Sequence, residues 1–475
     1  MKLVVVSNRV VEGSARGAIP GGLAAALVAA VAESGGTWVG GSGKLLNPSD
    51  ELRPTGLSAA RTTTLGAGTL LKVDLPAIEY RRFYNGMANG ALWPILHYRP
   101  DLVRYEPDYF TGYRAINEVM ADHVRRVADS DSAVWVHDYH FFMLGKFLRE
   151  RRVGGPLGFF LHTPFPPRSV VMCLPRHKEI LQSLSAYDIV GFQTSEDAER
   201  FQDYAVHELS AAVIGRSELR IGERRFRIGV FPIGIDVDRV EKAAARASGS
   251  EGVERLSQRM TGRKLVIGVD RLDYSKGLVR RFLAYRHFLT EYPEERRQVS
   301  FLQITPPTRS EVDAYRSTRG ELASLAGDIN ARFGNVEWVP LRYINEGVSP
   351  EVLAGYYRAA KIGCVTPLRD GMNLVAKEYV AAQDPSDPGV LVLSIFAGAA
   401  KELSTALLVN PYDMASVAER LREAIHMPRE ERIERWSSAM QTLRKTDVHI
   451  WFRSFLAALR ATSITTAPFP VRTVA

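Results

Sequence analysis

The sequence predicts an α/β protein built on parallel sheets, and three observations point to it. Short runs rich in β-branched residues recur at Leu3–Val6, Ala133–Val136, Leu157–Leu161, Ile189–Phe192, Phe226–Phe231, Lys264–Val269, Val299–Ile304, Ile362–Thr366 and Val390–Ser394. Such unbroken apolar runs are what strands covered on both faces require. Helical periodicity fills the intervals at Gly21–Ala32, Tyr139–Arg151, Glu196–Leu209, Leu278–Tyr292, Thr308–Ile329 and Leu374–Ala382, and strand, helix, strand order implies parallel pairing under covering helices. Finally, 475 residues exceed what one core holds, since single cores stop growing near about 250–300 residues. The strands therefore divide into two doubly wound sheets, with a ligand expected between them.

The break is expected after Phe231-Pro232-Ile233-Gly234-Ile235-Asp236, where a strand ends in a Pro/Gly turn and a weakly apolar segment, Val237–Met260, begins. This gives domains over 1–236 and 237–461, the last helix packing back on the first, and a flexible Thr/Pro tail over 462–475. No repeat of 20–50 residues is visible.

Composition narrows the function. With 46% hydrophobic and 24% charged residues the chain is of ordinary globular make-up. Lys and Arg outnumber acids 61 to 53, a net charge of +8 without a long basic run, so the positive charge is expected in a site for an anionic small molecule and not on a nucleic-acid surface. Cys173 and Cys364, both flanked by apolar residues, read as buried small hydrophobes in a reducing compartment. The apolar stretch Leu23–Ala32 is about half the ~20 residues that cross a bilayer, and Leu3–Val6 is too short for the core of a signal peptide. A cytoplasmic protein with no membrane partner is expected.

Each phosphate or metal signature in the sequence has a plainer reading. Gly40-Gly41-Ser42-Gly43-Lys44 lacks the first glycine of a phosphate loop, Trp38 standing there, and Leu45 replaces its Ser/Thr, so a glycine-rich strand turn is the better reading. Asp236-Val237-Asp238 has the Asp-x-Asp spacing of a metal-held diphosphate site, but two acids opening a helix are a cap with its dipole complement. His137-Asp138-Tyr139-His140 alternates across a strand end with no further ligand nearby, which argues against metal. Neither a metal nor another cofactor is expected.

Residues at the carboxyl ends of strands carry more. Asp138 closes Ala133–Val136, where an α/β protein places its ligand, although a helix N-cap explains it about as well. His162 follows Leu157–Leu161 and precedes Thr163-Pro164-Phe165-Pro166-Pro167, a stiff segment that would hold the ring at the strand tip; the plainer reading is a satisfied surface histidine. Strand Lys264–Val269 runs into Asp270-Arg271-Leu272-Asp273-Tyr274-Ser275-Lys276-Gly277, so Arg271 and Lys276 emerge beside a helix start, an arrangement suited to a diphosphate. After Ile362–Thr366, Pro367-Leu368-Arg369-Asp370-Gly371-Met372-Asn373-Leu374 offers backbone amides to an anion, and Glu378 lies in the first turns of the next helix. Tyr84-Asn85-Gly86-Met87-Ala88-Asn89 with Leu92-Trp93-Pro94 reads as a loop whose aromatic and amide groups suit a sugar ring.

Together with Val5-Val6-Ser7-Asn8-Arg9, Gly21-Gly22-Leu23, Trp135-Val136-His137-Asp138-Tyr139-His140, Gly158-Phe159-Phe160-Leu161-His162 and Leu374-Val375-Ala376-Lys377-Glu378, these segments give the chain a nearly end-to-end resemblance to the trehalose-6-phosphate synthase family of retaining glycosyltransferases. The resemblance implies the GT-B fold, two Rossmann-like domains facing across a deep cleft. It also implies transfer of glucose from a nucleoside diphosphate glucose, UDP-glucose, to glucose 6-phosphate with retained configuration. By motif, the acceptor site comprises Arg9, Tyr84, Trp93, Asp138 and Arg309, the two arginines on the phosphate. Donor contacts come from Gly21, Gly22, His162, Arg271, Lys276, Asp370, Gly371, Met372, Asn373, Leu374 and, on the ribose, Glu378. Catalysis is assigned to His162, Asp138, Arg271 and Lys276.

Retention normally requires a carboxylate behind the anomeric carbon; the resemblance implies instead front-face transfer in which the leaving phosphate oxygen takes the acceptor proton. Asp138 as nucleophile stays open at this level, as does the donor base. Gly41 stands where some relatives carry a second aromatic, and Val348 at a donor-proximal position often aromatic. The alternatives are a synthase acting on glycerol 3-phosphate, a silent regulatory homologue and a nucleotide-dependent epimerase, and the chain is expected to form a dimer or tetramer.

Overall fold

A computed structural model describes residues 2–10, 27–28, 31–32, 35–46, 59–260, 262–307 and 313–462. The chain divides into two compact units, Met1–Pro232 with Trp451–Ala475, and Ile233–Ile450.

In the first unit the strands are β1 (Leu3–Arg9), β2 (Thr37–Leu46), β3 (Ala60–Leu65), β4 (Gly68–Pro76), β5 (Ala133–His137), β6 (Leu157–Phe160), β7 (Ile189–Phe192), β8 (Ala212–Gly215), β9 (Glu218–Ile221) and β10 (Arg224–Val230). They form one sheet in the order β3-β4-β2-β1-β5-β6-β7-β10-β9-β8. The centre, from β4 to β10, is parallel, while β3 and the β8–β9 hairpin are antiparallel edges. The chain runs outward from β1 through β2 to β4, then reverses to β5 on the other side of β1. Open α/β sheets bind their ligands at such a reversal, beyond the carboxyl ends of the flanking strands. Arg9 ends β1 and Asp138 follows β5.

The second unit holds β11 (Lys264–Val269), β12 (Val299–Ile304), β13 (Leu341–Ile344), β14 (Ile362–Val365), β15 (Val390–Ser394) and β16 (Leu407–Val409). All six are parallel, in the order β13-β12-β11-β14-β15-β16. The reversal falls between β11 and β14, whose following loops are Asp270–Lys276 and Thr366–Asn373. Each unit is thus an α/β layer with one such point.

Elements that differ from the sequence reading do so for local reasons. Gly40–Lys44 is no turn; it lies inside β2, with a register shift between Gly41 and Leu45. A side chain on Gly40 would meet Ser7 O at 2.6 Å and one on Gly41 would meet Asn8 O at 2.9 Å, so these glycines let β1 approach. The Tyr84–Leu92 stretch is not a loop but part of a π-helix, Arg81–Leu92, followed by a helical turn, Trp93–Leu96. It buries Phe83, Met87, Ala88, Ala91 and Leu92, and Gly86 faces the Tyr109 ring, 2.5 Å from where a Cβ would stand. Tyr139–Arg151 is a 3₁₀ turn, Tyr139–Phe141, and a short helix, Leu144–Glu150. The helix expected over Thr308–Ile329 runs from Asp313 to Phe333 among the described residues. Within Gly21–Ala32 only residues 27–28 and 31–32 are described, as helix. Val237–Met260 forms two helices, Val237–Ala247 and Glu251–Met260; the Asp236 side chain accepts from Arg239 N, the cap expected of it. Cys364 is buried, but Cys173 is exposed: it follows the single helical turn Arg168–Val171, of which only Val171 is buried.

The helix Val448–Arg460 supplies the first unit with Trp451, Phe455 and Leu459, all buried. Phe455 stacks on Trp135 of β5 at 4.4 Å and 10°, and it fits because β6 and β7 carry glycines beneath it. A Cβ at Gly158 or Gly191 would stand 2.8 Å from its ring. Truncating a core phenylalanine costs about 3–5 kcal/mol. Phe455→Ala is expected to lower stability by that amount in chemical denaturation; a loss under about 1 kcal/mol would show that this helix is not part of the first core.

Candidate active site

In the first unit, the predicted residues meet at the β1/β5 reversal. Burial disfavours the Arg9 charge, but the neighbouring Tyr80 and Tyr84 hydroxyls outweigh it and raise the guanidinium pKa. Tyr84 is sandwiched by parallel rings, Tyr80 at 5.3 Å and His140 at 5.9 Å. Trp93 packs on Tyr139 at 5.5 Å, and Tyr139 OH donates to Asn89 Oδ1 at 3.0 Å. Asn89 in turn donates to Tyr84 O at 2.8 Å, so the helix and the segment after β5 are tied together. A flat aromatic wall beside a guanidinium is what a sugar phosphate requires: a ring face for C–H groups and a fork for phosphate oxygens.

Asp138 is no helix cap. It has φ of 75° and makes no side-chain cap bond to the turn it precedes; its Oδ1 accepts from His162 N at 3.2 Å. A non-glycine residue in this region is strained, and such strain gathers at functional sites. His162 has ring contacts on both sides, Nε2 to His137 Nδ1 at 3.1 Å and Nδ1 to Gln193 Nε2 at 3.4 Å. Burial pushes its pKa down to about 3, so the imidazole is neutral at physiological pH. Asp197 holds the proline segment that follows, its Oδ1 accepting from Phe165 N at 2.8 Å.

In the second unit the predicted residues meet at the β11/β14 reversal. Lys276 Nζ pairs with Asp370 Oδ2 at 2.5 Å, and Asn373 Nδ2 donates to the same oxygen at 3.0 Å. Asn373, at φ of 76°, caps the helix Leu374–Ala382 by accepting from Ala376 N at 3.1 Å. The first amides of that helix have no carbonyl within it to bond. Gly371 and Met372 lie against the Gly398 turn, where a Cβ would stand 2.0 Å from Gly371 O; Ala399 N donates to Met372 O at 2.7 Å. Arg271 is exposed at the loop start. Gly21, Gly22 and Arg309 lie outside the described residues. Among the described residues, no three His, Cys, Asp or Glu side chains converge as a metal site.

Sequence reasoning missed the groups beneath these loops. Arg281, with a side chain 0% exposed, donates to Asp270 Oδ2 at 2.7 Å, Gln303 Oε1 at 3.0 Å, Thr366 Oγ1 at 2.9 Å and Lys276 O at 3.4 Å. Lys377, equally buried, donates to Ile233 O at 2.8 Å and pairs with Glu402 at 2.9 Å. Neither announces itself, because one cation in an amphipathic helix is ordinarily solvated. Tyr80, Gln193 and Trp451 likewise carry no motif.

Burial also pushes the Glu378 carboxyl from its ordinary 4.5 up to about 7, against the opposing pull of Arg239. A raised acid pKa means that the folded state holds a proton the unfolded state releases. Its contribution is therefore intact below about pH 4.5 and is lost as pH rises through about 7. Glu378→Gln should gain stability relative to the parent between pH 5 and 8, by up to about 3 kcal/mol. A difference that does not change with pH in urea titrations would contradict this.

Residues 12–461 match the model of glycosyltransferase family 20. A trehalose-6-phosphate synthase of Sinorhizobium fredii is 46% identical over 464 residues, covering 97% of this chain and 99% of that one. The crystal structure of a UDP-forming α,α-trehalose-phosphate synthase from Burkholderia vietnamiensis is 42% identical and superposes with a TM-score of 0.93 over 98% of this chain and 97% of that one. A UDP-forming synthase from Burkholderia xenovorans, solved in complex with glucose 6-phosphate, is 41% identical with a TM-score of 0.93, covering 97% of this chain and 100% of that one. The two parallel-sheet α/β units have the GT-B architecture of these synthases, and the chain belongs to glycosyltransferase family 20.

Proposed function

We propose that this enzyme transfers glucose from UDP-glucose to glucose 6-phosphate, forming α,α-trehalose 6-phosphate with retention. The observation that carries this reading is the cluster at the β11/β14 reversal, where Lys276, Asp370 and Asn373 meet at the N-terminus of the helix Leu374–Ala382. Full-length likeness to a synthase solved with glucose 6-phosphate and to one from E. coli solved with UDP-2-fluoro glucose supports it.

Glucose 6-phosphate and a nucleoside diphosphate bring about four negative charges at neutral pH. The acceptor phosphate is taken by Arg9 of the first unit and, by the motif, by Arg309, while Tyr84, Trp93 and Asp138 receive the sugar. In the second, the amides at Leu374 and the cations Arg271 and Lys276 take the diphosphate, and Glu378 takes the ribose. As the bond from the anomeric carbon to the phosphate oxygen breaks, charge grows on the diphosphate, and fixed cations there stabilise the transition state. The acceptor hydroxyl attacks from the same face, and its proton passes to the departing phosphate oxygen. The neutral ring of His162 orients the donor sugar, with Nδ1, whose contact at 3.4 Å is long, as the nitrogen most open to a hydroxyl. Asp138, already accepting from the His162 amide, positions acceptor hydroxyls.

The test is a release assay for UDP with product identification. UDP should appear from UDP-glucose only with glucose 6-phosphate, accompanied by a non-reducing disaccharide phosphate. Equal turnover with free glucose or glycerol 3-phosphate, or epimerised donor without acceptor, would overturn the assignment. Lys276→Ala should lower kcat by about 10²–10³ at saturating substrates. Arg9→Ala should chiefly raise the acceptor KM, by the equivalent of about 2–5 kcal/mol. Identical profiles for the two variants would show that the anion sites are exchanged.

A further inference from the structure

His137 lies beneath His162 and takes no part in the proposed chemistry, yet their rings face each other with two nitrogens 3.1 Å apart. Two N–H groups at that distance would clash and two lone pairs would repel, so one proton lies between them. We propose that His137 and Gln193 are positioning residues that fix the tautomer of His162, holding its proton on Nε2, so that the single Nδ1 lone pair, which faces Gln193 at a long contact in the ligand-free protein, accepts from a sugar hydroxyl that displaces it. The proposal rests on the reading above that His162 orients the donor.

Two ends of the chain of contacts give the same direction. At one end the amide nitrogen of Gln193 stands 3.4 Å from His162 Nδ1. An amide nitrogen can only donate, so Nδ1 accepts, and a neutral imidazole then carries its proton on Nε2. At the other end His137 Nε2 is buried without a hydrogen-bond partner among the described residues. Its ring is packed against Trp135 at 4.6 Å and lies 6.2 Å from Trp451. Among aromatic faces an N–H is favoured and a lone pair is not. A proton on His137 Nε2 leaves its Nδ1 as acceptor, the partner that His162 Nε2–H needs.

The surroundings keep both rings neutral. His162 is flanked by His137 at the end of β5, the Asp138 carboxylate on its own backbone amide, Gln193 after β7, Phe160 of β6 at 4.7 Å and Trp451 of the last helix at 6.1 Å. The titratable groups facing it are thus His137 and Asp138. Burial lowers the His137 pKa strongly, and its neighbour lowers it further. A charged imidazole here would offer a sugar two donors and no acceptor. The built pair removes that state.

Long-range nitrogen–proton NMR correlations of histidine rings in the full-length, ligand-free protein read the tautomer directly, whether or not the transfer reaction is as proposed. His162 should be protonated on Nε2 and show no titration between about pH 5 and 8. In His137→Ala the Nε2 proton loses its acceptor, so the His162 ring should shift partly to the Nδ1-protonated tautomer. Donor kcat/KM of that variant should then fall about tenfold, the equivalent of one neutral hydrogen bond lost. His137→Asn, whose Oδ1 can still accept from Nε2–H, should keep the parent tautomer and the parent kcat/KM, and guards against a variant that does not fold. An Nδ1-protonated His162 in the parent protein, or a tautomer unchanged in His137→Ala, would overturn the proposal.

Discussion

The buried guanidinium of Arg281 is the interaction on which the second unit's site depends. It lies on the helix Leu278–Glu291 and reaches Asp270 beyond β11, Gln303 on β12, Thr366 beyond β14 and the carbonyl of Lys276. Three adjacent parallel strands and the loop that carries Lys276 are thereby fixed by one side chain. A buried ion pair contributes little net stability against an apolar replacement, but removing one partner strands the other and costs about 3–5 kcal/mol. The arrangement makes physical sense as a device for geometry. Gly277, at φ of 67°, lets the loop turn directly into that helix, with its Cα side only 2.4 Å, at the Cβ position, from Thr366 O.

The first unit solves the equivalent problem with strain and aromatic packing. Asp138 and Asn373 hold left-handed backbone at φ of 75° and 76°, each immediately beyond a reversal strand or its loop, and each uses its side chain to satisfy a backbone amide. Such conformations cost of order 1–3 kcal/mol and persist where the surroundings over-determine them. Both units therefore hold charged or polar groups rigidly in advance of the ligand, which is the condition for electrostatic stabilisation of a developing charge.

The fold class was legible because nine strands carry runs rich in apolar and β-branched residues, most of them buried from end to end as parallel strands covered on both faces must be. Among the strands that escaped notice, β4 and β13 have their apolar residues interrupted by polar ones and β16 is three residues long, and the others lack the signal. β3 is Thr-rich and exposed along its length, β8 and β9 form an edge hairpin, and β2 is half glycine and polar because β1 lies against it. The loop residues of the site were legible as long motifs at strand ends. The groups that hold them were not: Arg281 and Lys377 act from within ordinary helices, His137 from a strand and Gln193 from just beyond one, and only three-dimensional contact distinguishes them. The Tyr84 region read as a loop because glycine and asparagine are loop residues by propensity, whereas here tertiary packing against Tyr109 decides.

Hydrogen exchange of the backbone amides in Arg281→Met, compared with the parent protein, tests most directly whether this guanidinium holds the site. The account predicts that amides within Asp270–Lys276 and Thr366–Leu374 lose protection by about 10²-fold or more, the equivalent of a buried pair broken at about 3–5 kcal/mol, while those of β7 and β10 in the other unit are unchanged. Unaltered protection in the two loops would contradict it.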